Sequence, residues 1–311
     1  MTPSVDSSAG RGWLARLARG RAARGVLAVL GLLLLASALA PLYAPQDPYD
    51  LESLDLLDAE LPPAWMEQGQ SRFPLGTDAQ GRDMFSAMLY GAGISLVIGI
   101  CAVALQLLIG VSAGLVAGYR GGRVDAAIMR VADIQLSLST LMVAIIVLGL
   151  MRSAFGSDRF GALAIPMLVL VIGIAEWPHF ARAVRGSVLA EKQKDHVLAA
   201  RALGLAPMRI VLRHILPNVA SPILVLATVQ VANAVIAEAS LSFLGLGMPA
   251  TMPSLGALIR AGFELLLSGS WWITLLPSLL LVAIILCVNV LGDAMRDALD
   301  PHSVLLSHYP R

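Results

Sequence analysis

Charge is scarce in this chain. Asp, Glu, Lys and Arg make up 14% of its 311 residues, against about 25% in a typical soluble domain. With 57% hydrophobic residues and a mean hydropathy of +0.77, that deficit excludes an ordinary soluble domain. It points to a polytopic membrane protein, in which run length matters more than periodicity. Lysine is scarcer still and occurs only at 192 and 194. Neither follows a glycine, so the chain has no G-x-x-x-x-G-K-[ST] phosphate loop and cannot hydrolyse ATP by that route. The only cysteines, Cys101 and Cys287, lie inside apolar runs, too few for a disulfide framework or a metal site. Neither H-E-x-x-H nor C-x-x-C occurs, and the five histidines are scattered. No cofactor or metal bound by this chain, no enzymatic activity and no nucleic-acid partner are expected.

What the chain has is long apolar runs. Six reach the roughly 20 residues a span requires: 25–44, 91–118, 127–150, 161–181, 219–240 and 271–291. The expected fold is therefore all-α, with six transmembrane helices. The cations orient it. Of the 22 Lys and Arg residues, only Arg72, Arg82, Arg152, Arg159 and Arg260 fall on one side, and the rest fall on the other. That split places both termini and the 183–216 segment in the cytoplasm, in a cell inner (plasma) membrane. Trp271 and Trp272 are then expected at the outer interface. Ala38-Leu39-Ala40 looks like a signal cleavage site, but the apolar run is long for a signal and Pro41 follows directly, so a retained anchor helix is expected. The expected division is residues 1–88 (cytoplasmic segment, anchor helix and outer loop), a core over 89–295, and a tail over 296–311.

Several smaller features carry chemical readings. Gly110, Gly114 and Gly118 share one helix face and should admit a neighbouring helix closely. The same stretch spells G-x-S-x-G around Ser112, but a mid-helix position supplies no nucleophile elbow. Ionisable residues within spans are functional suspects. Asp125, Arg130 and Asp133 are expected to pair with one another. Glu176 and His179 offer a proton relay, but a pair with Arg182 or Arg185, about one turn away, is simpler and is expected. Gln230 and Asn233 could hydrogen-bond to a partner subunit. Glu238 either holds the loop that follows it or faces a pathway.

Before the second span stands Leu75-Gly76-Thr77-Asp78-Ala79-Gln80-Gly81-Arg82-Asp83. Asp78 and Asp83 are each able to cap a helix start, and Gly76 and Gly81 permit tight turns. Residues 191–218, EKQKDHVLAARALGLAPMRIVLRHILPN, form a basic stretch between apolar runs. It reads as two short helices parted by Gly204, with Pro207 opening the second and Pro217 ending it.

This stretch resembles the cytoplasmic coupling loop of ABC-importer permeases, whose pattern is E-A-A, three residues, G, nine residues, I-x-L-P. Ala199, Ala200, Gly204, Leu216 and Pro217 match in register, whereas Leu198 replaces the family Glu and His214 the Ile. The Gly76, Thr77, Asp78, Gly81, Arg82, Asp83 motif resembles the C-type permease subunit of dipeptide, oligopeptide and nickel importers. So do Ala237–Gly247 and Leu291–Pro301. The resemblance implies a type I permease core that shares a translocation path with a homologous second permease subunit in the lipid bilayer. It implies two ATPase subunits that carry ATP and Mg, and an extracytoplasmic solute-binding protein that delivers a peptide or similar small solute. The ATPase would receive a loop built on Val197, Leu198, Ala199, Ala200, Leu203, Gly204, Leu216 and Pro217, with Val197, Ala200 and Leu203 as contacts. The alternative is an ion-coupled secondary transporter, which predicts charged midplane sites and inverted repeats. No clear repeat is visible, and the acids sit toward span ends.

Overall fold

The structure is a computed structural model that describes residues 21–49, 54–249 and 251–299. The basic residues Arg11, Arg16, Arg19 and Arg311, with most of the expected tail, lie outside the described residues. In chain order the helices are α1 (Arg21–Tyr43), α2 (Met84–Arg120), α3 (Gly122–Ser137), α4 (Thr140–Gly156), α5 (Arg159–Glu191), α6 (Asp195–Ala202), α7 (Pro207–Phe243), α8 (Leu255–Phe263) and α9 (Trp272–Leu299). Five of them, α1, α2, α5, α7 and α9, are long and apolar enough to cross a membrane. In hydrocarbon a helix satisfies its backbone groups internally, so these runs have few alternatives.

The expected third span, 127–150, is broken. Leu138 and Ser139 are extended, and α3 meets α4 at 85°. The cause is the polarity of α3. Asp125 and Asp133 stand eight residues apart, on one helix face. The guanidinium of Arg185 grips both oxygens of Asp125, and Arg182 pairs with Asp133. These acids therefore pair across to α5 rather than with Arg130. The Arg185 guanidinium also holds the Asp125 carboxyl below its ordinary pKa. The apolar stretch begins only at Thr140, and the helix ends where Gly156 (φ 75°) breaks it before α5.

The core is organised on α2. Along its second half it runs parallel to α5 at very short range. A Cβ on Gly110 would stand 2.6 Å from the Trp177 carbonyl, one on Gly114 2.7 Å from the Ala181 carbonyl, and one on Gly118 3.1 Å from the Arg185 carbonyl. Real Cβ atoms essentially never come within 3.0 Å of such atoms, so a side chain at Gly110 or Gly114 would push the helices apart, and one at Gly118 would be tight. The first half of α2 meets α7 running the other way. At mid-depth Asn233 donates to Gln230 (2.8 Å), Gln230 to Gln106 (3.4 Å), and Gln106 to the Ile172 carbonyl (3.4 Å). Gln230 is therefore satisfied inside the chain rather than offered to a partner. Ser112 donates to the Leu108 carbonyl at 2.6 Å within its own helix, which confirms that it sits on no strand-to-helix elbow.

Replacing Gly114 with Val should lower the yield of monodisperse protein and the thermal unfolding midpoint, by roughly 1–3 kcal/mol of overpacking. Gly149, whose Cβ would meet nothing within 4 Å, should tolerate Ala with no comparable loss. A fluorescence melt of the purified variants in detergent would show the contrast.

Candidate functional site

At the end of the bundle where α5 stops, α6 turns back beneath it. Its last turn is closed by three backbone bonds. Leu203 N–H donates to Ala199, Gly204 N–H to Arg201 at 2.9 Å, and Leu205 N–H to Ala200 at 3.2 Å. Gly204 has φ 74°. This is a Schellman ending, which needs a left-handed residue at the glycine position. A Cβ there would meet nothing within 4 Å, so the demand on Gly204 is torsional rather than steric.

The helix presents two faces. Val197 (0% exposed) and Ala200 (4%) are buried in the main core, in one cluster with Val184, Val188, Ile210, Ile215 and Val219. They hold α6 to its own bundle and are unavailable to an outside partner. Leu198 (47%) and Leu203 (80%) face outward, as does Ala199. Of the three contact residues read from sequence, only Leu203 lies on the free face, and Leu198 joins it.

A carboxylate that sequence reading passed over fastens this unit. Glu191, the last residue of α5, is 5% exposed. It accepts from Asn218 Nδ2 at 3.0 Å and pairs with Lys194 Nζ at 2.6 Å and His196 Nε2 at 3.3 Å. Asn218 also donates to the His214 carbonyl at 2.8 Å. One buried carboxylate thus ties the end of α5, the start of α6 and the part of α7 just past Pro217. Lys192 adds a bond from Nζ to the Gly118 carbonyl, 2.8 Å, and Arg201 lies 5.4 Å over the Tyr119 ring. Both fasten the loop to the end of α2. The clue in sequence was a glutamate at the boundary between an apolar run and a basic loop.

The second helical stretch does not end at Pro217. It continues into α7 through a π turn, Val211–Ile215, in which Leu216 N–H reaches back to the Val211 carbonyl. Pro217 lacks an N–H, and in a regular helix its ring crowds the carbonyl four residues earlier. The wider turn just before it relieves that conflict, and the helix is redirected rather than stopped.

At the opposite end the Gly76–Asp83 motif forms a buried knot. Asp83 caps α2, accepting from Ser86 N at 2.9 Å and Ser86 Oγ at 2.6 Å. Asp78 instead closes a turn. It accepts from Gln80 N at 2.8 Å and Arg82 N at 3.0 Å, and pairs with Arg82 Nε at 2.7 Å. Thr77 exchanges bonds with Leu61, and its carbonyl accepts from the Trp272 indole at 3.1 Å. Trp272 is thereby buried under the loop. Gly76 (φ 80°) and Gly81 (φ 76°) make the turns. Glu238, fully buried near this end of α7, accepts from Ser95 at 2.6 Å and from Ser242 at 2.7 Å. Ser242 in turn accepts from Met248 N at 3.1 Å. That chain of bonds supports the loop-holding reading of Glu238.

Residues 110–304 match the family described as "Binding-protein-dependent transport system inner membrane component". The chain belongs to this family. It is an ABC-importer permease subunit. The permease is 34% identical over 284 residues to the di/tripeptide transport system permease protein DppC of Pseudomonas aeruginosa, covering 91% of this chain and 89% of that protein. It is 37% identical over 279 residues to the oligopeptide transport system permease protein OppC of Bacillus subtilis, covering 88% and 84%. A chain of the MetNI methionine ABC transporter, solved in an inward-facing conformation, superposes with a TM-score of 0.56 at 19% identity over 70% of this chain and 98% of that one. It shares the fold.

Within the permease, Glu176 lies outside both clusters. It accepts from Thr140 Oγ1 at 2.5 Å and pairs with His179 at 3.1 Å, not with Arg182 or Arg185.

Glu191→Ala should leave the spans in place and loosen α6. Amide exchange protection over 195–202 should fall about tenfold, from loss of charge-assisted bonds worth roughly 1.5 kcal/mol, and trypsin should cut after Arg201 faster. Unchanged protection by mass spectrometry would remove Glu191 from the role of fastener.

Proposed function

We propose that this permease imports short peptides. It forms a translocation path with a homologous second permease subunit and takes its drive from two ATPase subunits that carry ATP and Mg. An extracytoplasmic solute-binding protein delivers the cargo. The names of the peptide-transport relatives support the cargo class. The architecture of α6 supports the drive, and one observation carries it: α6 is buried on one side, carboxylate-fastened at its start and glycine-terminated at its end, yet leaves Leu198 and Leu203 free.

In this reading the core is 89–295, with the coupling loop 183–216 inside it. Residues 1–88 supply a cytoplasmic segment, anchor helix and outer loop, and 296–311 a cytoplasmic tail. Both termini and α6 are cytoplasmic, and residues 45–88 are extracytoplasmic. The free face of α6 seats in a cleft of the ATPase. Closure of the ATPase dimer on ATP moves α6 as a rigid body. Glu191 passes that motion to α5, and the helix through Leu216 and Pro217 passes it to α7. The link is mechanical and needs a stiff connector with two stable positions. Hydrolysis takes place on the ATPase subunits, so this chain contributes shape rather than catalysis.

Cysteines placed at exposed Gln68 and Gln193 test the orientation. An impermeant thiol reagent applied to intact cells should label position 68 and spare 193; labelling of 193 from outside would overturn the topology. Gly204→Val tests coupling. A β-branched residue in the left-handed region costs roughly 1–2 kcal/mol, or α6 changes its angle. The variant should insert normally, yet peptide uptake should fall steeply and the ATPase should lose its response to cargo-loaded binding protein. Gln193→Ala should change little. Near-normal uptake by Gly204→Val with the ATPase still bound would show that α6 does not transmit.

A further inference from the structure

At the end of the bundle that holds residues 54–83, a cavity of about 430 Å³ opens between the α4–α5 turn, the loop after α7, and α8. Its size falls within the roughly 300–1,000 Å³ of small-molecule sites. Two guanidinium groups converge in it on Gly245. Arg152 Nη1 donates to the Gly245 carbonyl at 2.8 Å and its Cζ lies 5.8 Å from the Phe160 ring centre. Arg260 lies so close to Gly245 that a Cβ there would stand 1.4 Å from its Nη1. Neither arginine is ion-paired among the described residues. Just past the end of α8, four residues beyond Arg260, Glu264 lines the same cavity, likewise without an ion pair among the described residues. The loop that forms the floor is held by the bond from Met248 N to Ser242, which itself donates to Glu238.

Two guanidinium groups brought together with neither of them ion-paired leave donors free for an anion, and guanidinium suits a carboxylate because its donors match both oxygens. A carboxylate of that kind is offered by the C-terminus of a peptide or by an acidic side chain of a docked binding protein. The acidic side chain would leave most of the volume empty and give Glu264 nothing to meet. A short peptide in its zwitterionic form answers both ends. We propose that this cavity is a transit site for a short peptide, in which Arg260 with Arg152 receives the terminal carboxylate and Glu264 the terminal ammonium. The proposal rests on the peptide-import reading above.

The test uses the complete transporter in nanodiscs and proteoliposomes, with its binding protein and a dipeptide bearing a diazirine side chain. In the unaltered transporter, photolysis should attach the dipeptide to residues between Gly245 and Glu264 of this chain, as read by mass spectrometry. Arg260→Gln, at an exposed position, should abolish that adduct. It should also lower ATP-driven uptake about tenfold, the loss of one charge-assisted bond, with docking of the binding protein unchanged. Arg260→Lys should restore part of the uptake, and Arg72→Gln, an exposed charge elsewhere on the same end, should change nothing. Wild-type uptake and labelling in Arg260→Gln would sink the site alone. Weaker docking of the binding protein, by the same factor as uptake, would assign the carboxylate to that protein and overturn the cargo assignment. Failure of the unaltered transporter to take up any peptide would sink the import reading and this site with it.

Discussion

The contact on which the rest depends is the near-touching of the α2 and α5 backbones at Gly110, Gly114 and Gly118. In a bilayer there is little hydrophobic advantage in burying one apolar helix against another, so close van der Waals packing must supply the association. Once α5 is fixed against α2, Glu191 arrives beside Lys194, His196 and Asn218, and Lys192 reaches the Gly118 carbonyl. Arg182 and Arg185 likewise reach the acids of α3. The loop, the crosswise helix and the start of α7 are all referred to a single rigid pair.

The two ends of this pair are finished by different means. At the 54–83 end, a chain with little regular structure is knotted by short polar side chains: Asp78 and Asp83 bond to backbone within four residues, and Thr77 reaches back to Leu61. At the α6 end, long charged side chains bridge between helices that already exist. The first arrangement suits a fixed lid on the helix starts. The second gathers three helices on one carboxylate, so a displacement of any one of them is felt by the other two.

Much of this was legible in the residues, and what was not has physical reasons. Run length showed the spans because hydrocarbon thickness sets a length and composition threshold. The glycine stripe showed a close approach because Cβ size leaves few other uses for it. Gly204 announced a helix ending because the left-handed region excludes most other residues. The break at Leu138–Ser139 was hidden, since an average over 127–150 stays apolar while the charges collect in its first half. The inward turn of Val197 and Ala200 was hidden too. In a helix of eight residues, periodicity does not say which face meets the core. Pairings such as Arg185 with Asp125, or Gln230 with Gln106, join residues sixty and more than a hundred positions apart, and one sequence carries no record of that adjacency. The convergence of Arg152 and Arg260 on Gly245 was invisible for the same reason.

The π turn at Val211–Ile215 has a geometric meaning for α7. It holds one more residue than a regular turn, and one residue is about 100° of rotation and 1.5 Å of advance along a helix. The azimuth of Gln230 and Glu238 relative to the exposed face of α6 is therefore set by this single surplus residue. The turn is a phase element: the same span read without it would present a different stripe to α2.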